Sequence, residues 1–285
     1  MKYKSYLLLP FVALLSLTSC SDGDNDKEDV IFPEYTPGFV SRIKVYDVNN
    51  PADEVKTIKI YYDSKRRVTG VHWGTTVPER SAWKFVYENN KVNFISSYDP
   101  VNSERYCNID AQGRAVDMVY KTSDNMFTTA YAYSDKHLVN LSENNDDKII
   151  SSTDFSWNMY GYTSAITKVK GMNKDSLTIT SSVMYDEFSP NNTNIDFNVI
   201  LNAIHGLIPQ YNDAPILLEL CGSNPTQLIV RHTMKYDYAT DASRNAEYSY
   251  KVINCSMQQG RVVTLETESM IDGKHRKIDI IYKAD

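Results

Sequence analysis

An aromatic-rich strand, a polar turn and a second strand opening on an aliphatic residue recur five times in the first half of this 285-residue chain. Ile58 to Tyr62 turns at Asp63 to Arg67 into Val68; Trp83 to Tyr87 turns at Glu88 to Lys91 into Val92; Tyr106 to Ile109 turns at Asp110 to Arg114 around Val116. Phe127 to Tyr133 turns at Ser134 to His137 into Leu138, and Phe155 to Trp157 turns near Gly161 ahead of Ile166. The aliphatic anchors Val68, Val92, Val116, Leu138 and Ile166 lie 24, 24, 22 and 28 residues apart, the length of two strands with one short and one longer connection. An antiparallel β-meander follows from that spacing.

Alternation supports strands: Ile58, Ile60 and Tyr62 share one face while Thr57, Lys59 and Tyr61 share the other. The second faces are not cleanly polar. Tyr61, Val71, Trp73, Val86, Ile95 and Val119 fall opposite their strands' main apolar sets, so part of each sheet face needs a cover. A sheet curled into a barrel or half-barrel supplies one and removes exposed edges; two packed sheets serve as well. From Tyr248 to Tyr282 the β pattern continues, with Gln258-Gln259-Gly260 and Asp272-Gly273 as turns. One helix interrupts it. Phe197, Ile200, Leu201 and Ile204 fall at helical spacing, with Asn194 or Asp196 as N-cap and Gly206 then Pro209 as the stop. The expected fold is a mainly β domain, residues 39–285, with a short amphipathic helix at about 195–205 lying over the sheet or plugging one end of the barrel.

The chain begins with a different kind of segment. Lys2 and Lys4 precede an apolar run from Leu7 to Leu17, too short to span a bilayer and of the length of an export signal. Leu17-Thr18-Ser19-Cys20 behind it resembles the lipobox of bacterial lipoproteins, which implies a signal peptide at 1–19 and acylation of Cys20 with diacylglycerol and a fatty acid such as palmitate. An ordinary secretory peptide would leave Cys20 unmodified. Several acyl chains hold a protein at a membrane far more firmly than one. The acidic run Asp22 to Asp29 resembles the surface-export signal of Bacteroides-group lipoproteins, which implies an outer-membrane protein facing the cell exterior; it also serves as an extended spacer, the tether ending at residue 38. It does not make a calcium loop, because Lys27 stands where the turn glycine is needed and Pro33 where the bidentate glutamate is needed.

The net charge of −6 argues against nucleic acid and anionic lipid as partners. With Cys20 acylated, Cys107, Cys221 and Cys255 remain, an odd number that implies no disulfide framework; Cys221 to Cys255 is the first pairing to consider, and three buried inert thiols are the simpler state.

Tyr62-Asp63-Ser64-Lys65-Arg66-Arg67-Val68 resembles the tyrosine-aspartate repeat, and Ile109-Asp110-Ala111-Gln112-Gly113-Arg114-Ala115 keeps its Asp, Gly and Arg. Taken with the lipobox, the acidic tether, the Tyr-rich hairpins and Asn194-Ile195-Asp196-Phe197-Asn198 opening the helix, the chain resembles the uncharacterised Bacteroides-group lipoprotein family called domain of unknown function 4595, described as porin-like. That resemblance implies a fold and carries no functional residue. It does not imply a membrane pore, since the chain ends Tyr282-Lys283-Ala284-Asp285 instead of on an aromatic residue.

Catalytic signatures are missing: there is no Gly-x-Ser-x-Gly, His-Glu-x-x-His, phosphate-binding glycine loop or Cys-x-x-Cys. His72, His137, His205, His232 and His275 are scattered singly and read as surface or half-buried polar residues. Dispersed carboxylates leave a hydrolase open, and Asp237, Asp241 and Glu247 offer oxygen ligands without a defined metal motif. No cofactor is expected. Trp73, Trp83 and Trp157, among 21 tyrosines, are the candidate ligand contacts, since indole and phenol faces stack on sugar rings; strands favour aromatics in any case. Trp73, off its strand's main face between Gly70 and Gly74, is expected at an exposed rim. The expected function is a non-catalytic surface lipoprotein binding a glycan or apolar ligand in or on the curved sheet. The alternative is an envelope structural or protein-interaction module without a small-molecule site. A cavity of roughly 300 Å³ or more favours the first, a filled interior the second.

Overall fold

The computed structural model describes residues 39–74, 82–96, 103–145, 148–170, 176–191, 193, 195–207, 215, 218, 220–222 and 225–283. The signal peptide and tether, with Cys20, lie outside them. Sixteen strands occur among the described residues: β1 (Val40–Asp47), β2 (Asn50–Tyr62), β3 (Val68–Gly74), β4 (Ala82–Glu88), β5 (Lys91–Ser96), β6 (Glu104–Ile109), β7 (Ala115–Lys121) and β8 (Met126–Ser134) in the first half. In the second come β9 (His137–Asn145), β10 (Lys148–Trp157), β11 (Tyr162–Val169), β12 (Leu177–Pro190), β13 (Gln227–Tyr238), β14 (Ala246–Gln258), β15 (Arg261–Ser269) and β16 (His275–Tyr282). Each pairs antiparallel with its neighbours in sequence, and β1 pairs with β16, Ile43 opposite Ile280 and Val45 opposite Ile278. The sheet is therefore a closed barrel, not a half-barrel or a sandwich. The amide of Lys283 donates to the carbonyl of Phe39 at 2.7 Å, so the two ends of the sheet lie side by side.

Five hairpins stand where the repeat places them, and the structure sharpens their register. Val116 and Ile166 face outward; the buried residues that open their strands are Ala115 and Tyr162. Val68, Val92, Ala115, Leu138 and Tyr162 are then spaced 24, 23, 23 and 24, a more even period than the aliphatic anchors suggest. The aromatic that ends each outgoing strand has a job. Tyr62 Oη donates to the carbonyl of Val40 (2.7 Å), Tyr87 to Val68 (3.0 Å), Tyr133 to Ala115 (2.8 Å), Tyr185 to Tyr162 (2.9 Å) and Tyr282 to Val262 (2.7 Å), with Trp157 Nε1 donating to Leu138 (2.6 Å). Each satisfies a carbonyl at the start of the preceding strand. The tyrosine-aspartate-like turns are also built alike: Asp110 Oδ1 accepts from the amides of Gln112 and Arg114 while Oδ2 accepts from Arg114 Nε, and Asp63 treats Lys65 and Arg67 in the same way. The arginines then lie over aromatic rings, Arg67 over Tyr87 and Arg114 over Tyr133.

Ile43, Ile58, Phe85, Val92, Leu141 and Ile278 line a buried inner face. The outer face carries Lys84, Lys121, Asp154, Lys168, Arg231 and Lys235 on strands around the circumference, all exposed. A barrel embedded in lipid shows the reverse polarity, and a cation at the bilayer midplane costs about 2–4 kcal/mol. The same face also exposes Ile95, Val116, Ile166, Met184 and Ile281, so charged and apolar side chains are interspersed on it.

Sixteen strands can enclose an aqueous lumen; here the β12–β13 connection fills part of it. Asp196 caps α1 (Phe197–His205) by accepting from the Asn198 amide at 3.0 Å, and Gly206 ends it at φ 70. Capping and bounds agree with the sequence, but the helix does not lie over the sheet. Its apolar stripe is buried, and so are Asn198, Asn202 and His205 on the other flank. The chain then returns to the opposite wall, where the Ala115 amide donates to Leu220 (2.6 Å) and Gly222 bridges to His137. Gly222 holds φ 85, and a Cβ there would collide with the Lys136 carbonyl oxygen, so the close approach requires glycine.

Candidate functional site

Where the helix meets the wall, polar groups replace aliphatic ones. His232 on β13 lies between Ser181 Oγ on β12 (2.6 Å from Nε2) and Asn202 Oδ1 on α1 (2.5 Å from Nδ1). An amide oxygen only accepts, so Nδ1 carries the proton and Nε2 accepts from the serine. His205 stacks on Tyr250 at 4.4 Å; its Nδ1 accepts from Arg276, and Nε2 donates to Thr267 Oγ1, both at 3.0 Å. Burial pushes the pKa of His232 down to about 4, and burial together with Arg276 pushes that of His205 down to about 3. Both are neutral at pH 7. The order Ser181-His232-Asn202 is that of an activated serine, yet a base of pKa about 4 is a poor proton acceptor near neutrality and Ser181 is only 9 % exposed. The trio fastens the helix to the wall.

A pocket among the described residues lies on the inner face of β6 to β9. Arg105, Met118, Tyr120, Phe127, Thr129 and Glu143, from β6 to β9, line a half-open pocket of about 240 Å³. Tyr120 and Phe127 stack as one aromatic wall, centroids 6.1 Å apart. The Arg105 guanidinium lies between two rings, 4.2 Å from Tyr120 and 4.9 Å from Trp83. Glu143 accepts from Ser151 Oγ at 3.0 Å, and burial raises its pKa above the ordinary carboxylate value despite that bond. Beside Phe127, Asn145 Oδ1 is buried with no partner among the described residues. The pocket thus offers an apolar body, a fixed cation and an acid whose pKa burial raises. At about 240 Å³ it falls below the roughly 300 Å³ at which ordinary small-ligand sites begin.

All three tryptophans lie on the inner side, packed against the core. Trp83 sits under Arg105 at the pocket. Trp157 is fixed by its bond to Leu138 and by His137 and Tyr162, away from it. Trp73 corrects the sequence reading. Tyr61 is opposite Gly70 and Tyr62 opposite Val68, so Thr69 is an extra residue that switches the faces of β3; Trp73 pairs with Ile58 and Val71 with Ile60 on the core side. Trp73 is not a solvent-exposed rim residue, and Lys56 covers its ring at 5.3 Å. His205 and His232 are likewise buried, against the expectation of surface or half-buried histidines; nothing in their sequence neighbours marks them, because their partners lie 30 to 71 residues away. The three cysteines are free thiols. The first pairing considered, Cys221 to Cys255, is therefore not formed. Asp237 pairs with Lys235, and Asp241 caps the turn Ala242–Arg244 through Ser243.

No protein-family model matches the chain, and no curated protein does. Among solved structures, the barrel is similar to a porin-like protein from Bacteroides vulgatus ATCC 8482, with 14% identity and a TM-score of 0.58 over 87% of this chain and 100% of that one. A porin-like protein from Bacteroides uniformis ATCC 8492 is similar at 14% identity and a TM-score of 0.56, with the same coverage. The chain shares the porin-like barrel fold of these Bacteroides proteins; at this identity the likeness concerns the fold alone.

Proposed function

We propose that this protein is a non-catalytic, lipid-anchored barrel of the outer membrane that holds a small ligand in the β6–β9 pocket. The observation that carries the reading is the pocket itself, an aromatic wall facing a ring-clamped guanidinium on the inner face of β6 to β9. Its size suits a single sugar ring or a small aromatic acid, the apolar face on Tyr120 and Phe127 and an anionic group on Arg105. Cys20 is the attachment point and the acidic run Asp22 to Asp29 the signal for display on the cell exterior; the charges on the outer wall support a domain in contact with water. Membership of domain of unknown function 4595 rests on the lipobox, tether, hairpin repeat and helix opening.

Protein extracted from its own envelope should carry a small molecule detectable by native mass spectrometry. Thr129→Leu, which fills the pocket, and Arg105→Lys, which removes the planar fork, should each lower its occupancy. Recovery of the wild type without any bound molecule, combined with no perturbation of the Tyr120 and Phe127 ring signals by monosaccharides or aromatic acids in NMR titration, would leave the structural-module reading standing instead.

A further inference from the structure

On the outer wall, separate from the inner pocket, Arg42 on β1 and Lys59 on β2 stand directly opposite each other. Like charges facing across adjacent strands destabilise a sheet, and this pair belongs to a chain whose net charge is −6. Beside it the wall opens. Val40 pairs with Tyr282 and Arg42 with Ile281, which leaves Ser41 as the extra residue of a bulge, its hydroxyl bonded to the Ile281 carbonyl at 3.0 Å. The resulting cleft holds about 600 Å³ and is lined by Ser41, Arg42, Lys59, Tyr61, Ile281 and Lys283 together with Ile60 and Tyr62. None of these is acidic. Among the described residues Arg42, Lys59 and Lys283 make no ion pair, while the acid on the neighbouring strand, Asp279, is engaged by Lys277 at 3.4 Å and Thr264 at 3.1 Å. Tyr61 is 53 % exposed on the same face.

We infer that this cleft binds an acidic saccharide, its carboxylate, sulfate or phosphate groups on Arg42, Lys59 and Lys283 and a sugar ring on Tyr61. Three cations without counter-ions among the described residues fit an anion, the arginine fork fits its planar or tetrahedral oxygens, and a phenol face left open to water fits the C–H side of a pyranose. A peptide is less well served: the barrel is closed, so no unpaired strand edge is available for main-chain hydrogen bonds. The volume lies in the range of small-ligand sites, roughly 300–1,000 Å³.

Isothermal titration of the full protein with oligogalacturonate and with dextran sulfate tests the assignment. At least one should bind, more weakly as salt is raised. The double variant Arg42→Gln Lys59→Gln should weaken that binding about tenfold or more, and Tyr61→Ala should weaken it several-fold, with the melting temperature unchanged or higher in the double variant because a like-charge pair is removed. Fully methyl-esterified oligogalacturonate should not bind. The inference is overturned if neither polyanion binds, if the double variant binds as wild type does, or if the ester binds equally. It is overturned in its saccharide part if polyglutamate or phosphatidylglycerol vesicles bind as tightly and Tyr61→Ala has no effect. Thr129→Leu, which blocks only the inner pocket, should leave this binding intact.

Discussion

His232 and His205 tie the plug to the barrel by being uncharged. Burial disfavours a second proton on each, and for His205 the Arg276 guanidinium that donates to its Nδ1 adds to the cost. Their folded pKa values of about 4 and about 3 lie below the ordinary 6.5, so as pH falls the unfolded chain takes up protons first. The stability they confer is whole above about pH 6.5 and is lost as pH drops toward their folded values, on the order of 2 kcal/mol per histidine by pH 5. Glu143, raised by burial, works in the opposite direction near its own titration and offsets part of this. Denaturant midpoints at pH 7 and pH 5 should therefore differ for the wild type, and the difference should shrink in His232→Gln. An equal drop in both proteins would show that other groups govern the acid side. None of this was legible beforehand, since a lone histidine within a β run has the same local sequence whether it faces water or a buried amide.

At the scale of the element, the hairpin was the legible unit, because an aromatic, a polar turn and an aliphatic lie close together in sequence and their spacing is set by strand length. The facing of β3 was not legible. One inserted residue at Thr69 reverses every side chain after it, and no composition signal marks a bulge. The helix was read correctly from its stripe and caps, but its polar flank concealed how deeply it is buried: Asn202 looks solvent-facing until His232 and Tyr250 are placed opposite it, and Asn198 is buried as well. The tyrosine ties give each hairpin a testable part. Tyr133→Phe keeps the ring under Arg114 and removes only the hydroxyl bonded to the Ala115 carbonyl. It should lower stability by about 1 kcal/mol, read from chemical denaturation. A change near zero would show that water takes the place of the hydroxyl.

For the molecule as a whole, the barrel and its attachment are separate problems in physical chemistry. The described outer wall mixes exposed charges with single exposed apolar side chains such as Ile95, Ile166 and Met184, while the core inside is apolar. On the proposed function, residence at the membrane rests on Cys20. Cys20→Ala should abolish incorporation of an alkyne fatty acid and release the protein from the membrane fraction with its melting temperature unchanged; retained labelling would place the acyl chain elsewhere.

The junction of β1 and β16 has one more consequence. Because the Lys283 amide already bonds to the Phe39 carbonyl, the sheet is continuous across the place where the polypeptide is not. The covalent break is only one seam among sixteen, and a permuted chain opened at the Ser123–Asp124 turn and joined across the present seam would keep every ladder. Such a chain would begin at the far rim. The barrel would be the same object with its amino terminus at the opposite mouth, every neighbouring pair of strands kept and only their order along the chain changed.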